Sequence, residues 1–357
     1  MIRRVYVSLL FLLVSTFTFA GEVVLNPDHP QEYTVVSGDT LWDISGKFLQ
    51  YPWHWPELWS VNSHIKNPHL IYPGDLLSLV YRNGKYGLEL TRGSRTYKLS
   101  PEAHEIILDK AISTIPMDVI KAFLTRPEVL DEGELAKAPY VVASKGERLI
   151  SGAGDEVYVR GLTDKDITHF SLFSKGITYT DPQTEEILGY EAIYKGDARL
   201  VAAGDPATLS LKKTTQEILI GDRLLPVTDE QYEMNFLPRA PETEIEGQII
   251  SVFNGVSQVG QYQIVVLNLG ERNQLEIGHV LSIYQAGNTI IDPVISGREE
   301  ETYFNAGDVD RNQMVTLPDT HAGIAMVFKT FEKVSYAIIM KATTAIHIND
   351  KVSAVDQ

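Results

Sequence analysis

The stretch YTVVSGDTLWDISGKF, residues 33–48, changes character in mid-course. Tyr33-Thr34-Val35-Val36 is aromatic and β-branched, the composition a short strand prefers. Ser37-Gly38 breaks it. Thr40 is then placed to cap a helix, with Asp43 three residues on in the position of a capping box. Leu41, Ile44 and Phe48 follow on one helical face.

Working outward, Pro52 ends that helix and Pro56 suits the first turn of a second, whose Leu58, Trp59 and Val61 can face a core. Tyr72-Pro73-Gly74-Asp75 reads as a turn into a second strand, Leu76 to Val80. The order is strand, helix, helix, strand over residues 33–80.

YTVVSGDTLWDISGKF followed by NPHLIYPGDLLSLV resembles a LysM domain, the small βααβ module that binds N-acetylglucosamine glycans such as peptidoglycan and chitin. Between the helices the chain departs from the usual pattern, because LQYPWHWPELWSVNSHIK is longer and richer in tryptophan. That version, and the following KLSPEAHEIILDKAISTIPMDVIKAFLTRPEVL, resemble exported proteins of Gram-negative bacteria in which one LysM domain precedes a long, poorly characterised region. The resemblance implies a shallow groove between two loops, lined by backbone amides and carbonyls. Its residues would be Gly38, Asp39, Thr40 and Leu41 on one side. On the other would be Asn67, Pro68, His69, Leu70 and Ile71. An acetamide, with one donor, one acceptor and a methyl group, suits such walls.

Each residue also has a plainer role. Thr40 and Asp43 cap the helix, Asp39 can close the turn, and Leu41 can belong to the core. Trp42, Trp53, Trp55 and Trp59 either stack on sugar or fill a small core, with core packing expected for Trp42 and Trp59 and the choice open for Trp53 and Trp55. His54, His64 and His69 read as solvated loop histidines, and no metal or cofactor is expected.

The N-terminus carries another signal. Arg3 and Arg4 precede an apolar run from Val5 to Phe17, and Thr18-Phe19-Ala20 supplies small residues at its end. We read residues 1–20 as a signal peptide cleaved after Ala20, leaving no transmembrane anchor and placing the mature chain in the periplasm. The run is short for a membrane span, which needs about 20 apolar residues. The chain of 357 residues has a net charge of -16, and -18 without the two arginines. Such acidity argues against nucleic acid as a partner. Cysteine is absent, so no disulfide contributes.

Residues 81–138 read as a linker and helical connector. Tyr81 to Thr96 is polar with three glycines, a linker or hairpin. Pro101 to Asp118 has helical spacing at Ile106, Ile107, Ala111 and Ile115 behind Ser100 as cap, and Met117 to Leu124 suits a further short helix. Short β-rich runs follow, at Tyr140 to Ala143, Glu156 to Val159, Phe170 to Phe173 and Leu188 to Tyr194. An internal repeat joins them to the last third of the chain. HFSLFSKG (169–176) matches HVLSIYQAG (279–287), GYEAIYK (189–195) matches GIAMVFK (323–329), and KKTTQEILIGDRLLPV (212–227) aligns with MKATTAIHINDKVSAV (340–355). The fold class is thus α+β: the βααβ unit, the connector, and two repeated mainly-β modules at 139–240 and 243–357, small barrels or sandwiches. Asp181, Asp222, Asp292 and Asp350 recur in the repeat and read as turn formers.

LysM domains often tether wall hydrolases, so an enzyme must be weighed. Without cysteine there is no thiolate nucleophile. No His-x-His or His-x-x-x-Asp pair offers the usual zinc ligands, and Gly-x-Ser-x-Gly is absent. The expectation is a non-enzymatic peptidoglycan-binding protein with the β modules as interaction domains, an envelope protein being a further partner. A hydrolase of unrecognised type, or an assembly or secretion factor localised by its LysM domain, are the alternatives.

Overall fold

The computed structural model describes residues 23–62, 70–92, 112–116, 119–120, 128–146, 148–163, 166–227, 236–253, 258–287, 289–292 and 314–355. The expected signal peptide, Asn67, Pro68, His69, His64 and most of the expected helical connector lie outside the described residues.

The N-terminal unit is built as its sequence anticipates. Strand β1 (Glu32–Thr34), helix α1 (Leu41–Phe48), a 3-10 turn (Pro52–His54), helix α2 (Trp55–Trp59) and strand β2 (Leu76–Arg82) follow in order. Strand β3 (Lys85–Thr91) then folds back on β2, whose other edge carries β1. The Tyr81 to Thr96 segment is therefore partly a hairpin. Asn83 and Gly84, at φ 53° and 79°, make the two-residue turn that matches the twist of the flanking strands. Leu41, Ile44, Phe48, Leu58, Ile71, Leu77 and Leu88 are each no more than 1% exposed and share one core. All four tryptophans are buried, Trp55 completely, and Trp55 stacks on Trp59 at 5.2 Å between ring centres. Trp53 and Trp55 therefore serve packing. His54 is buried too, against the expectation of a solvated loop histidine, beside Trp53 and 3.8 Å from Glu57.

Strand β4 (Glu128–Leu130) and helix α3 (Glu132–Lys137) end the connector. Asp131 and Glu134 form a reciprocal capping box on α3, and β4 pairs with a strand of the following sheet. That sheet contains β5 (Tyr140–Ser144), β6 (Glu156–Arg160), β7 (His169–Thr180), β8 (Ile187–Ala202), β9 (Ala207–Thr214) and β10 (Arg223–Pro226). They pair as β5–β6–β9–β8–β7–β10, and β10 returns to β5, so six strands close a ring. A second closed barrel pairs β11 (Glu246–Val252), β13 (Ile264–Leu267), β18 (Ser335–Ala342), β17 (Thr320–Thr330), β14 (Val280–Gln285) and β20 (Lys351–Ala354) in that order. Two further two-stranded sheets pair β12 (Gln258–Val259) with β19 (Ile346–His347) and β15 (Thr289–Ile291) with β16 (Met314–Thr316). With strands counted along the chain, both rings pair first with second, second with fifth, fifth with fourth, fourth with third and third with sixth.

The likeness extends to single hydrogen bonds. Asp222 Oδ2 accepts the Leu219 N–H at 2.8 Å and its carbonyl accepts the Val141 N–H at 2.9 Å. Asp350 repeats both, with His347 at 2.7 Å and Ile249 at 3.0 Å. One matched segment needs correction. Gly196 pairs Thr214, and a Cβ on it would meet the Lys213 carbonyl oxygen at 2.4 Å; Gly323 pairs Ala342, and its Cβ would meet the Lys341 oxygen at 2.3 Å. The counterpart of GIAMVFK is thus GDARLVA (196–202), not GYEAIYK (189–195). The latter occupies the outer half of the long β7–β8 hairpin, where it pairs with β7 on one edge and, at Tyr190 to Ala192, with β4 on the other instead of a second ring strand.

The barrels differ in what covers them. Along β13, Val265 and Leu267 point into the second barrel while Ile264 and Val266 belong to a cluster outside it. That outer cluster also holds Trp42, Trp53, Ile115, Tyr179, Leu188 and Phe236. Along β13, β17 and β18 both faces of the second barrel are therefore apolar, which explains continuous runs such as IVVL and AIIM. The first barrel alternates, as in β9, with one face inward and the other open. Glu186, at the β7–β8 turn, binds Arg272 at 2.9 Å and Lys333 at 2.7 Å on the second barrel, and Asp181 accepts from Asn268 at 2.8 Å.

Candidate functional site

Two loops of the N-terminal unit are held side by side by backbone bonds. The Val35 N–H donates to the Asp75 carbonyl at 2.9 Å, and the Gly74 N–H donates to the Val35 carbonyl at 2.8 Å. Asp75 is only 2% exposed; its carboxylate accepts from the Tyr72 N–H and from Arg92, both at 3.0 Å, and so fixes the second loop. The loop from Val36 to Thr40 thereby faces the one ending at Gly74.

Within the first loop, Gly38 stands at φ 96°, a region side chains rarely adopt, and an added Cβ would meet nothing within 4 Å. The glycine is required by conformation, and the space before it is open. Asp39 closes its own turn: Oδ2 accepts the Val36 N–H and the Tyr33 hydroxyl, both at 2.9 Å. Burial, and then that bond to Asp39, push the Tyr33 phenol up to about 12. Thr40 is the N-cap, accepting the Asp43 N–H at 3.1 Å and donating to the Asp43 carboxylate at 2.7 Å. Leu41 is a core residue at 1% exposure. Of the second loop, Ile71 is buried while Leu70 is 41% exposed. The side chains of Thr40, Leu41 and Ile71 are thus absorbed by structure, and their backbone groups are what the loops present.

Those groups are not idle. Residues 112–115, expected within a helix, are instead non-helical and pass between the two loops, with Ser113 bridged in parallel to Thr40 and the chain bending at Thr114 and Ile115. The Leu41 N–H donates to the Ser113 carbonyl at 2.9 Å and the Trp42 N–H to the Thr114 carbonyl at 3.1 Å. The Ile112 N–H donates to the Ile71 carbonyl at 2.8 Å. Pro116 explains the departure from helix, since a residue before proline avoids the α region, and β-branched Thr114 and Ile115 favour extension. Leu41 and Trp42 head α1, where N–H groups have no partner inside the helix, so these carbonyls satisfy them.

On the other side of α1, a cleft of about 890 Å³ separates the unit from the second barrel, lined by Asp39, Asp43, Lys47, Gln261, Met340 and Lys341 among others. Tyr262 donates across it to Asp43 at 3.4 Å. Among the described residues no cluster of three or more acids or histidines could hold a metal ion.

Residues 33–79 match the family model of the LysM domain. The N-terminal unit is a LysM domain. The chain is also 40% identical over 60 residues to the uncharacterized protein YqbP of Bacillus subtilis (strain 168). That match covers 14% of this chain and 27% of that protein, so it spans well under half of either. LysM is a binding domain that takes peptidoglycan and related carbohydrates, and in this chain it precedes a long β-rich region. Among the described residues no helix is long and apolar enough to cross a membrane.

Proposed function

We propose that this protein holds N-acetylglucosamine-containing strands of peptidoglycan through the backbone groups of Gly38 to Leu41 and of Leu70 and Ile71, together with Asn67, Pro68 and His69, which lie outside the described residues. It does so without catalysis, and the two barrels are interaction modules, duplicates of one ancestral unit, that the LysM domain anchors to the wall. The chain is exported, loses residues 1–20 and works in the periplasm. The observation that carries the reading is the LysM match over loops that are held side by side with open space before Gly38. The signal-like first 20 residues and the absence of any cysteine nucleophile support the location and the lack of catalysis.

The mature full-length chain is expected to sediment with purified peptidoglycan and to be released by N-acetylglucosamine oligomers. Raising the salt from about 0.1 to about 1 M shortens the screening length from about 10 to about 3 Å. It should hardly matter, because an acidic chain owes nothing to a basic patch. Gly38→Val forces a side chain into the left-handed region, a strain of roughly 1–2 kcal/mol, and should weaken binding while circular dichroism stays unchanged. Failure to sediment at low salt, or release of muropeptides from the wall, would overturn the assignment.

A further inference from the structure

Resting on that glycan reading and extending it to regulation, we infer that residues 112–115 are an intramolecular occupant of the LysM groove, a strap that must withdraw before sugar can enter. An N-acetyl group is a secondary amide, with one carbonyl acceptor and one N–H donor, and the strap offers the groove the same two functions. Its Ser113 and Thr114 carbonyls take the N–H groups of Leu41 and Trp42, and its Ile112 N–H serves the Ile71 carbonyl. Both walls that the glycan would use are therefore already bonded to peptide. Departure of the strap would strand two donors at the head of α1 and one acceptor on the opposite loop, and the acetamide would replace those bonds.

The strap is also tied to the rest of the molecule. Ile112 packs in the LysM core, while Ile115, at 0% exposure, sits in the cluster formed by Trp42 and the outer face of the second barrel. Withdrawal from the groove and separation of the LysM domain from that barrel are thereby coupled. A partner that draws the barrel away raises the domain's affinity for glycan. If only a fraction of molecules has the strap withdrawn, the apparent affinity falls by that fraction.

The chain lacks cysteine, so a pair can be introduced without competition. Thr40 and Ser113 are bridge partners, and adjacent strands lie about 4.8 Å apart, inside the Cα separation of about 4.4–6.8 Å that a disulfide spans. Full-length Thr40→Cys/Ser113→Cys is measured oxidised and reduced against a soluble N-acetylglucosamine pentamer by calorimetry. Comparing the two forms of one protein cancels any loss from the altered cap. The oxidised form should bind at least about tenfold more weakly than the reduced one, and Ile112→Pro, which removes the donor to Ile71, should bind at least about tenfold more tightly than wild type, as expected for a groove open in about a tenth of molecules or fewer. Equal affinity of the oxidised and reduced forms would place the strap outside the sugar's path and overturn the inference alone. Absence of binding in every form, Ile112→Pro included, would overturn the glycan reading beneath it.

Discussion

Asp222→Ala is expected to destabilise the first barrel by about 3–5 kcal/mol, the penalty for leaving one partner of a buried ion pair unpaired. Lys195 and Asp222 are 6% and 5% exposed, and the ammonium donates to both carboxylate oxygens, at 3.1 and 3.0 Å. Removing the aspartate leaves that ammonium buried and also frees the Leu219 N–H. Lys195→Met should cost less, because the second barrel already lives with that arrangement. There Ala322 stands in the place of Lys195, its carbonyl accepting the Thr343 N–H as the Lys195 carbonyl accepts that of Thr215. Asp350 is buried with the His347 N–H as its partner. Burial raises the Asp350 carboxyl above its usual range, against the opposing bond from His347. The sign follows: the folded state pays for a charged Asp350 above that raised value, and this cost disappears as the pH falls through it, so the residue's contribution improves toward acid. Denaturant unfolding at neutral pH checks the order. Equal losses for Asp222→Ala and Lys195→Met would contradict it.

Gly196→Ala and Gly323→Ala should each cost about 3 kcal/mol, at the upper end for overpacking, because the new methyl carbon meets a backbone oxygen rather than a side chain that can turn aside. The distances are 2.4 Å to Lys213 and 2.3 Å to Lys341. Gly38→Ala is the control, since its Cβ meets nothing within 4 Å and only the backbone strain remains. Matched losses at 196 and 323 are what equivalent ring positions demand. A loss at Gly189 with none at Gly196 would favour the alignment read from sequence alone.

That comparison shows where the sequence was readable. The LysM unit could be traced because its signals are local: Thr40 with Asp43, the prolines at 52 and 56, and Tyr-Pro-Gly-Asp at 72–75 each act within a few residues. The repeat was legible at HFSLFSKG and at the 212–227 segment, where turn residues fix the frame. Between them the frame slipped by seven residues, since GYEAIYK and GDARLVA both begin with glycine and both alternate. Only pairing across the barrel separates them. The strap was missed because Ile115 fits helical spacing with Ile106, Ile107 and Ala111. Thr-Ile-Pro at 114–116 was the available clue against helix, but the segment's destination depends on N–H groups that lack an intrahelical partner in a helix some 70 residues earlier. Of the groove residues read from the sequence, Asp39, Thr40 and Leu41 spend their side chains on turn, cap and core, roles that local spacing also offered.

The most direct test of the account follows individual amides. In a titration of the isotopically labelled full-length chain with an N-acetylglucosamine oligomer, observed by NMR, the N–H signals of Gly38, Leu41, Trp42 and Ile71 should shift saturably. Those of Ile112 and Ser113 should move with them as the strap leaves. Saturable shifts confined to Lys341, Gln261 and their neighbours in the cleft beside the second barrel, with Leu41 and Trp42 unmoved, would contradict it.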